Sequence, residues 1–331
     1  PQDGTSLHEL TLNADAAMYY AKERGRNHYN YFDSPMNANA HQQFLLQQEL
    51  QHALERGELA LHYQPKYAAR SGEVVGAEAL LRWQHPQQGA ISPACFLPLA
   101  EKSRLIIPIG NWVIDEACRQ MSRWRDAGHP DWSVAVNLST IQLASPGLLE
   151  EVESALARHR LEARHLTLEI TETTAMENAE ESLAILNRLA ELGLGISIDD
   201  FGTGYSSLLY LERFPANELK IDRGFVTTLA PQGGDATIID AIIALGQALE
   251  MRIVAEGVET EGQRALLTLL GCDTLQGYLL GRPMTGDQLL AHCCAEVAIP
   301  DSMSALTCPL SAPITHSPIA PCLGSGYAAT T

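Results

Sequence analysis

Short apolar runs recur between residues 59 and 279, and most are rich in Leu or β-branched residues with Gly or polar residues between them. Runs of this length and composition are typical of buried strands. We predict strands near 59–67, 74–83, 133–139, 166–172, 195–201, 218–223, 252–256 and 274–279.

The segments between these strands have the spacing of amphipathic helices, in which residues three and four apart share a face. One face is predicted to carry Ile238, Ile242, Leu245 and Leu249, a second Leu183, Leu186 and Ala190, and a third Ile109, Val113 and Met121. Eight strands with helices between most of them predict an α/β fold, a TIM-like (β/α)8 barrel. The three residues 71–73 cannot hold a crossover helix, so the first strand is expected to run antiparallel to the others.

Acidic or amide side chains lie towards the ends of these predicted strands. They are Glu78, Asn137, Glu169, Asp199, Asp200, Asp222 and Glu256. A barrel of this type has its active site at the C-terminal rim of the strands, so these side chains are expected to form one cluster. Oxygen ligands alone suit Mg²⁺ or Mn²⁺ better than zinc or copper, and none of the eleven His residues belongs to the set.

The adjacent pair Asp199–Asp200 is the sharpest local signal, because two neighbouring acids at the end of a buried strand repel each other unless a cation or hydrogen bonds intervene. If both face the rim, one carboxylate can bridge two metals. The Gly-rich residues 201–208 that follow are typical of a loop over a substrate. Lys220 and Asp222 are expected to share one strand face, although Asp222 could instead cap the next helix. Glu78, taken alone, is more simply explained as a cap or a solvated charge.

Composition limits the classes of function. The formal net charge of −18 argues against a DNA or RNA duplex as partner. The sequence contains no run of about eighteen uncharged apolar residues, so no membrane span is predicted. The seven cysteines lack zinc-ligand spacing, which favours reduced thiols in a cytosolic chain, with Cys95, Cys118 and Cys272 expected to be buried. The chain opens without Met and is interpreted as a fragment of a longer protein, for which a membrane anchor upstream is left open. Residues 297–331 are predicted to be a disordered tail.

Eight short motifs occur in an order that resembles one family. They are YQP (63–65), EAL (78–80), NLS (137–139), EITE (169–172), DDFGTGYSSL (199–208), LKID (219–222), EGVE (256–259) and QGY (276–278). By these motifs residues 41–296 resemble an EAL domain, the bacterial module that hydrolyses the second messenger cyclic di-GMP. The resemblance implies a phosphodiesterase that opens one 3′,5′ linkage and releases linear pGpG, with two Mg²⁺ or Mn²⁺ ions as cofactors.

The resemblance also implies roles for individual residues. Glu78, Asn137, Glu169 and Asp199 would bind the first metal, and Asp199, Asp200 and Glu256 the second. The catalytic residues would be Glu78, Lys220, Glu256 and Glu259, with Lys220 contacting the nucleophilic water. Gln64, Arg82, Asp222 and Gln276 would bind the dinucleotide, and Glu172 would position the loop after Asp200 instead of binding metal.

Residues 1–33 resemble the end of a GGDEF (diguanylate cyclase) domain, including a helix over Leu12–Arg24, with residues 34–40 as a linker. The parent protein is therefore expected to contain an upstream GGDEF or sensory domain. The resemblance also implies a homodimer through barrel helices. Two other functions remain open at this point: a silent receptor that binds cyclic di-GMP and signals through a partner, and a barrel glycosidase that uses two carboxylates.

Overall fold

The computed structural model describes residues 34–176, 179–202, 211–229 and 236–297, together with a few scattered residues between Ser6 and Met18. The predicted cyclase remnant, most of the Gly-rich loop after residue 202 and the tail after residue 297 lie largely or wholly outside the described residues. Within the described part of the chain, no helix combines the length and the apolar character that crossing a membrane requires.

Eight of the strands close into a barrel. The strands are β1 (Leu59–Ala68), β2 (Val74–His85), β3 (Gly89–Ile91), β4 (Ser133–Asn137), β5 (Leu166–Thr171), β6 (Gly195–Phe201), β7 (Glu218–Ile221), β8 (Arg252–Ala255) and β9 (Thr274–Leu275). Their order is β1-β9-β8-β7-β6-β5-β4-β2, with β1 paired back to β2 and β3 added at the edge of β2. The predicted barrel is therefore confirmed, and β3 is an addition that the sequence patterns did not indicate.

The first strand runs antiparallel to both of its neighbours, as predicted. It pairs antiparallel with β2 and with β9, whereas β2 and β4 to β9 pair parallel along the barrel. In this register Gln64 lies directly opposite Glu78, so both side chains are on the same face of the hairpin. Because side chains alternate along a strand, Lys66 lies on that same face, two residues beyond Gln64.

Helices surround the barrel. They are α1 (Ser34–Ala53), α2 (Pro93–Lys102), α3 (Ile106–Asp126), α4 (Thr140–Leu143), α5 (Leu148–His159), α6 (Glu172–Met176), α7 (Ala179–Glu191), α8 (Arg223–Thr228), α9 (Thr237–Ala248), α10 (Glu261–Leu270) and α11 (Gly286–Val297). Alternate residues of the parallel strands are fully buried between strand and helix, as for Leu166, Leu168 and Ile170 of β5. The other alternation faces the barrel interior, which is where the candidate site lies.

Local sequence explains where the helices begin and end. Thr260 accepts a hydrogen bond from the backbone N–H of Gln263, and the Gln263 side chain accepts from the N–H of Thr260 at 3.0 Å. This reciprocal cap is worth about 1 kcal/mol and sets the start of α10. The helix ends at Gly271, which takes the left-handed conformation at φ 102° that glycine adopts without strain.

Some predicted boundaries and faces differ from the structure. Strand β7 ends at Ile221, two residues before the predicted end, because Asp222 caps the following helix. Helix α9 buries Ile239, Ile242 and Ile243 and leaves Ile238 exposed, so the predicted face was rotated by about one residue.

Two further expectations concern α2 and α1. Cys95 was predicted to be buried, but it is exposed on the first turn of α2, whereas Cys118 and Cys272 are buried as expected. Residues 34–40, predicted as a linker, form the first turns of helix α1. The domain boundary at this point stays a prediction.

Candidate active site and metal centre

The barrel brings most of the predicted site residues to one place, although several do not stand at strand ends. Glu78 and Glu169 project from within β2 and β5, while Asn137 is the last residue of β4 and Glu256 directly follows β8. Parallel register places Asn137 beside Glu169 and Thr171 beside Asp199. Residues that are distant in sequence therefore share one region of the barrel interior.

Lys220 is the centre of this cluster. Its Nζ lies 2.6 Å from Oε1 of Glu256, 2.7 Å from Oε2 of Glu169, 3.2 Å from Oδ2 of Asp199 and 3.6 Å from Oε2 of Glu78. The Lys220 side chain is fully buried, and the Glu169 side chain is too. One ammonium cannot neutralise four carboxylates, so ionisation of all four acids would leave an excess of negative charge at a largely buried site.

The crowding of buried acids is reflected in their pKa values. Burial raises the pKa of Glu78 and Asp199, and Lys220 opposes the rise without cancelling it. Burial likewise raises the pKa of Glu256 to about 8, with the neighbouring acids adding to the rise. The pKa of Lys220 is lowered by burial, but the surrounding carboxylates outweigh that effect and raise it well above its ordinary value. Buried acids that ionise with difficulty are typical of a site that receives cations.

The pair Asp199–Asp200 bends the end of β6 towards the rim. Asp200 has a φ of 54°, and the pairing between β6 and β7 shifts register between Ile198 and Phe201. The backbone N–H of Asp200 donates to Oδ1 of Asp199 at 2.9 Å. A left-handed residue interrupts the alternation of side chains, which is why neighbouring acids can face the same side.

Carboxylate oxygens at this bend have the spacing of a metal site. One oxygen each from Asp199, Asp200 and Glu256 lie within 4.8 Å of one another. The pKa of Asp200 is raised by burial and next by the charge of Asp222, so this acid shares the negative field of the cluster. Three hard oxygen donors in this field fit Mg²⁺ or Mn²⁺ chemically, whereas the described cluster offers no nitrogen or sulfur ligand.

Amide side chains fix the orientation of Glu78. Nδ2 of Asn137 donates to Oε1 of Glu78 at 2.7 Å, and Nε2 of Gln276 donates to Oε2 at 2.7 Å. Gln276 also donates to Oε1 of Gln64 at 3.2 Å, and Gln64 donates to the carbonyl of Gly281 at 3.1 Å. Among the described residues, the buried Oε1 of Gln276 has no hydrogen-bond partner, so it is available to a donor or a cation.

Glu172 lies at the start of α6 and contacts the backbone after the Asp pair. Its Oε2 accepts a hydrogen bond from the backbone N–H of Gly202 at 2.9 Å, and its side chain is buried. Gly202 has a φ of 95°, a conformation that favours glycine. This contact fits the predicted loop-positioning role of Glu172. Residues 203–208 of the predicted loop lie outside the described residues.

Three predicted site residues are not among the four acids around Lys220. Oδ1 of Asp222 accepts from the backbone N–H of Gly224 at 2.9 Å, so Asp222 is the N-cap of α8. Glu259 is exposed and binds Arg223 at 2.8 Å. The guanidinium of Arg82 donates to the carbonyl of Leu81 at 2.9 Å. Lys220 lies within β7, whereas Asp222 follows the last residue of that strand.

Two cavities adjoin the cluster, and Leu80 lines both of them. One, of about 240 Å³, is lined by residues that include Gln64, Glu78, Asp199, Glu256, Glu259, Gln276 and Tyr278. The other, of about 350 Å³, is mainly apolar and is lined by residues that include Arg82, Leu97, Glu101, Val113, Asn137 and Glu169. Both open beside the carboxylates, so a ligand with two separate ends can contact the cluster at its middle.

Sequence reasoning missed a polar layer beneath the cluster. Lys66, Ser197 and Glu218 are all buried inside the barrel. Each lies two residues from a predicted site residue on its own strand: Gln64 on β1, Asp199 on β6 and Lys220 on β7. Because alternate residues of a strand share a face, this spacing was a signal that could have identified them.

Comparison with known proteins supports the same region. The family model described as EAL domain matches residues 47–283. Among curated proteins, the chain is 62% identical over 291 residues to "Bifunctional diguanylate cyclase/cyclic di-GMP phosphodiesterase MucR" of Pseudomonas aeruginosa, covering 88% of this chain and 42% of that protein. It is 43% identical to "Cyclic di-GMP phosphodiesterase NbdA" of the same species, covering 86% of this chain and 36% of that protein.

A solved structure gives the same result for the fold. The structure named "PaMucR Phosphodiesterase, c-di-GMP complex" is 62% identical, with a TM-score of 0.71, and covers 74% of this chain and 99% of that one. The chain spans less than half the length of the curated relatives described above. The family match begins at residue 47, so the predicted cyclase remnant over residues 1–33 lies outside it and stays a prediction.

Proposed function

The chain belongs to the EAL domain family, and from that premise we propose that it is a metal-dependent phosphodiesterase acting on cyclic di-GMP. It would hydrolyse one 3′,5′ linkage and release linear pGpG. The observation that carries the proposal is the set of four carboxylates around Lys220, whose charge exceeds what one ammonium can neutralise. Relatives whose names state this activity support the choice of substrate.

Two divalent cations, Mg²⁺ or Mn²⁺, fit the donors at the rim. Glu78, Asn137, Glu169 and Asp199 would hold one, and Asp199, Asp200 and Glu256 the other. Their oxygens, the raised pKa values of the acids and the unpaired Oε1 of Gln276 all favour a cation in this region. When bound, such cations would neutralise a phosphate and lower the pKa of a water molecule.

Lys220 would act as a hydrogen-bond donor and not as a base. The carboxylates around it raise its pKa well above the ordinary value, so its ammonium stays protonated at neutral pH. A protonated Lys220 can hold the attacking water or a phosphoryl oxygen in place, which lowers the barrier through positioning and charge. Glu256, whose Oε1 lies 2.6 Å from Nζ of Lys220, would contribute to catalysis as a metal ligand beside that ammonium.

The substrate would lie across the cluster with one base on each side. The larger, mainly apolar cavity can receive a flat purine, and there Arg82 and the carboxylate of Glu101 supply polar contacts. Burial raises the pKa of Glu101, as expected for an acid with few polar neighbours. Gln64 and Gln276 would contact the scissile phosphate or its sugar from the other cavity. Asp222 and Glu259 would act at the mouth of the site.

Product analysis tests the proposal. The purified chain is incubated with cyclic di-GMP and Mn²⁺, with and without EDTA, and the nucleotides are separated by chromatography. We expect pGpG with Mn²⁺ and none with EDTA, and unchanged turnover in the control Glu153→Gln, an exposed position on α5. Binding of cyclic di-GMP without any product would contradict the proposal and favour the silent receptor.

The proposal extends to the context of the whole protein. The expected upstream GGDEF or sensory domain and the expected homodimer through barrel helices both concern surfaces or segments beyond the described site. The expected upstream domain is consistent with a chain that spans 42% of a relative named as a bifunctional enzyme.

A further inference from the structure

A second buried lysine lies beneath the candidate metal centre. Nζ of Lys66, on β1, is 3.1 Å from Oε1 of Glu169 and 2.9 Å from Oε1 of Glu218. Lys220 holds the other carboxylate oxygen of Glu169, Oε2, at 2.7 Å. The two oxygens of Glu169 are therefore divided between two ammonium groups, one on the side of the rim and one below.

The layer formed by Lys66 and Glu218 lies deeper in the barrel than the cluster at the rim. Glu218 precedes Lys220 by two residues on β7, and Lys66 follows Gln64 by two residues on the antiparallel strand β1. Both displacements are towards the end of the barrel opposite the rim. The side chains of Lys66 and Glu218 are only 7% and 6% exposed, so bulk water does not compete for their contacts.

Stability alone is a weak explanation for this layer. A buried ion pair costs about as much desolvation as it returns in attraction, and apolar replacements are often neutral. Orientation of the carboxylate is a better explanation. The distribution of the last side-chain torsion of Glu is broad, so this torsion does not by itself fix the direction of either carboxylate oxygen. A donor that engages one oxygen determines which direction the other oxygen faces.

We propose that Lys66, held in place by Glu218, is a positioning residue for Glu169 in the proposed metal-dependent reaction. By binding Oε1, it fixes the plane of the Glu169 carboxylate and leaves Oε2 to exchange the Lys220 ammonium for a cation. Glu169 would then have one oxygen, Oε2, with which to hold a metal ion. This inference rests on the proposed function, since it assigns Lys66 to the metal site of that reaction.

The test measures Mn²⁺ binding directly. The full chain and its variants are titrated with Mn²⁺ by isothermal calorimetry and by the electron paramagnetic resonance signal of free Mn²⁺. Lys66→Met should weaken Mn²⁺ binding about 10- to 100-fold, the usual effect of removing a group that orients a metal ligand. Lys66→Arg, which keeps the charge and the donors, should recover part of that loss. Lys102→Met, on an exposed lysine at the end of α2, is the control.

A double variant keeps the test decisive if Lys66→Met fails to fold. That change removes the closest cation of buried Glu218 and leaves only Arg252, whose guanidinium is 3.7 Å from Oε2. Lys66→Met combined with Glu218→Gln removes both charges and should show the same loss of Mn²⁺ affinity. A folded double variant that binds Mn²⁺ as tightly as the wild type overturns the inference, and so does a change confined to thermal stability. Mn²⁺ binding and thermal stability are both measured without substrate. A failure of this inference can therefore be distinguished from a failure of the chain to produce pGpG.

Discussion

Replacing Lys220 with Met removes the ammonium that lies within 3.6 Å of four carboxylates. Without metal, those acids lose their nearest positive charge while they remain buried. Removing one partner of a buried ion pair costs about 3–5 kcal/mol. The family match covers residues 47–283, and for a domain of that size this loss lowers the thermal midpoint by about 6–10 °C.

Divalent cations should reverse most of this loss. Mn²⁺ supplies the positive charge that the carboxylates lack, and in the variant it no longer competes with Lys220 for their oxygens. We therefore expect Lys220→Met to bind Mn²⁺ at least as tightly as the wild type. Turnover should nevertheless fall about 100-fold or more, because the positioned donor is gone, while cyclic di-GMP binding changes much less.

The measurement is thermal unfolding of wild type and Lys220→Met in EDTA and in saturating Mn²⁺, followed by single-turnover kinetics. Lys102→Met serves as the control for loss of a lysine at an exposed position. Equal midpoints of the two proteins in EDTA would refute the argument that the ammonium holds the cluster together. A gap that persists unchanged in Mn²⁺ would refute the exchange of Lys220 for a cation. A variant that binds substrate poorly but turns it over normally would make Lys220 a binding residue only.

Three further predictions concern the acids. Glu78→Ala or Asp199→Ala should abolish turnover because each removes a proposed metal ligand, and near wild-type rates from either purified variant would exclude that role. Glu172→Ala frees the backbone N–H of Gly202 and should lower kcat about tenfold or more, whereas a change in stability alone would leave the residue a structural one. Burial raises the pKa of Glu256 from 4.5 to about 8, so the cation displaces a proton there, and Mn²⁺ affinity should rise with pH up to about 8. The same pKa shift stabilises the folded state fully below pH 4.5, and this stabilisation is lost as the pH rises towards 8. Glu256→Gln should therefore flatten the pH dependence of Mn²⁺ affinity, measured by calorimetry, and the pH dependence of stability, measured by unfolding without metal.

Most of the barrel could be predicted because its local signals agree. Strand runs such as Leu166–Thr171 are apolar and short, and the segments between them have helical spacing or a recognisable cap. The antiparallel first strand followed from a connection too short for a helix, and the structure confirms it. Single boundaries were less predictable, because a cap such as Asp222 can be read equally well as the last residue of a strand.

The candidate site could be predicted as a set of residue types, but not as a geometry. The acids and Lys220 stood out because charges are rare within apolar runs. Lys66 and Glu218 stood in the same kind of run and were overlooked, since nothing in one strand shows which residue of another strand faces it. Exposed Glu259 and the offset face of α9 were also outcomes of packing.

The amino-acid order by itself determined the alternation of strands and helices, the surplus of acids and the motifs that carry the family likeness, because these depend on neighbours along the chain. Tertiary structure alone decided that Lys220 meets four carboxylates and that Lys66 takes one oxygen of Glu169. Lys66 and Glu169 are 103 positions apart along the chain, and only the closure and register of the barrel bring them within hydrogen-bond distance.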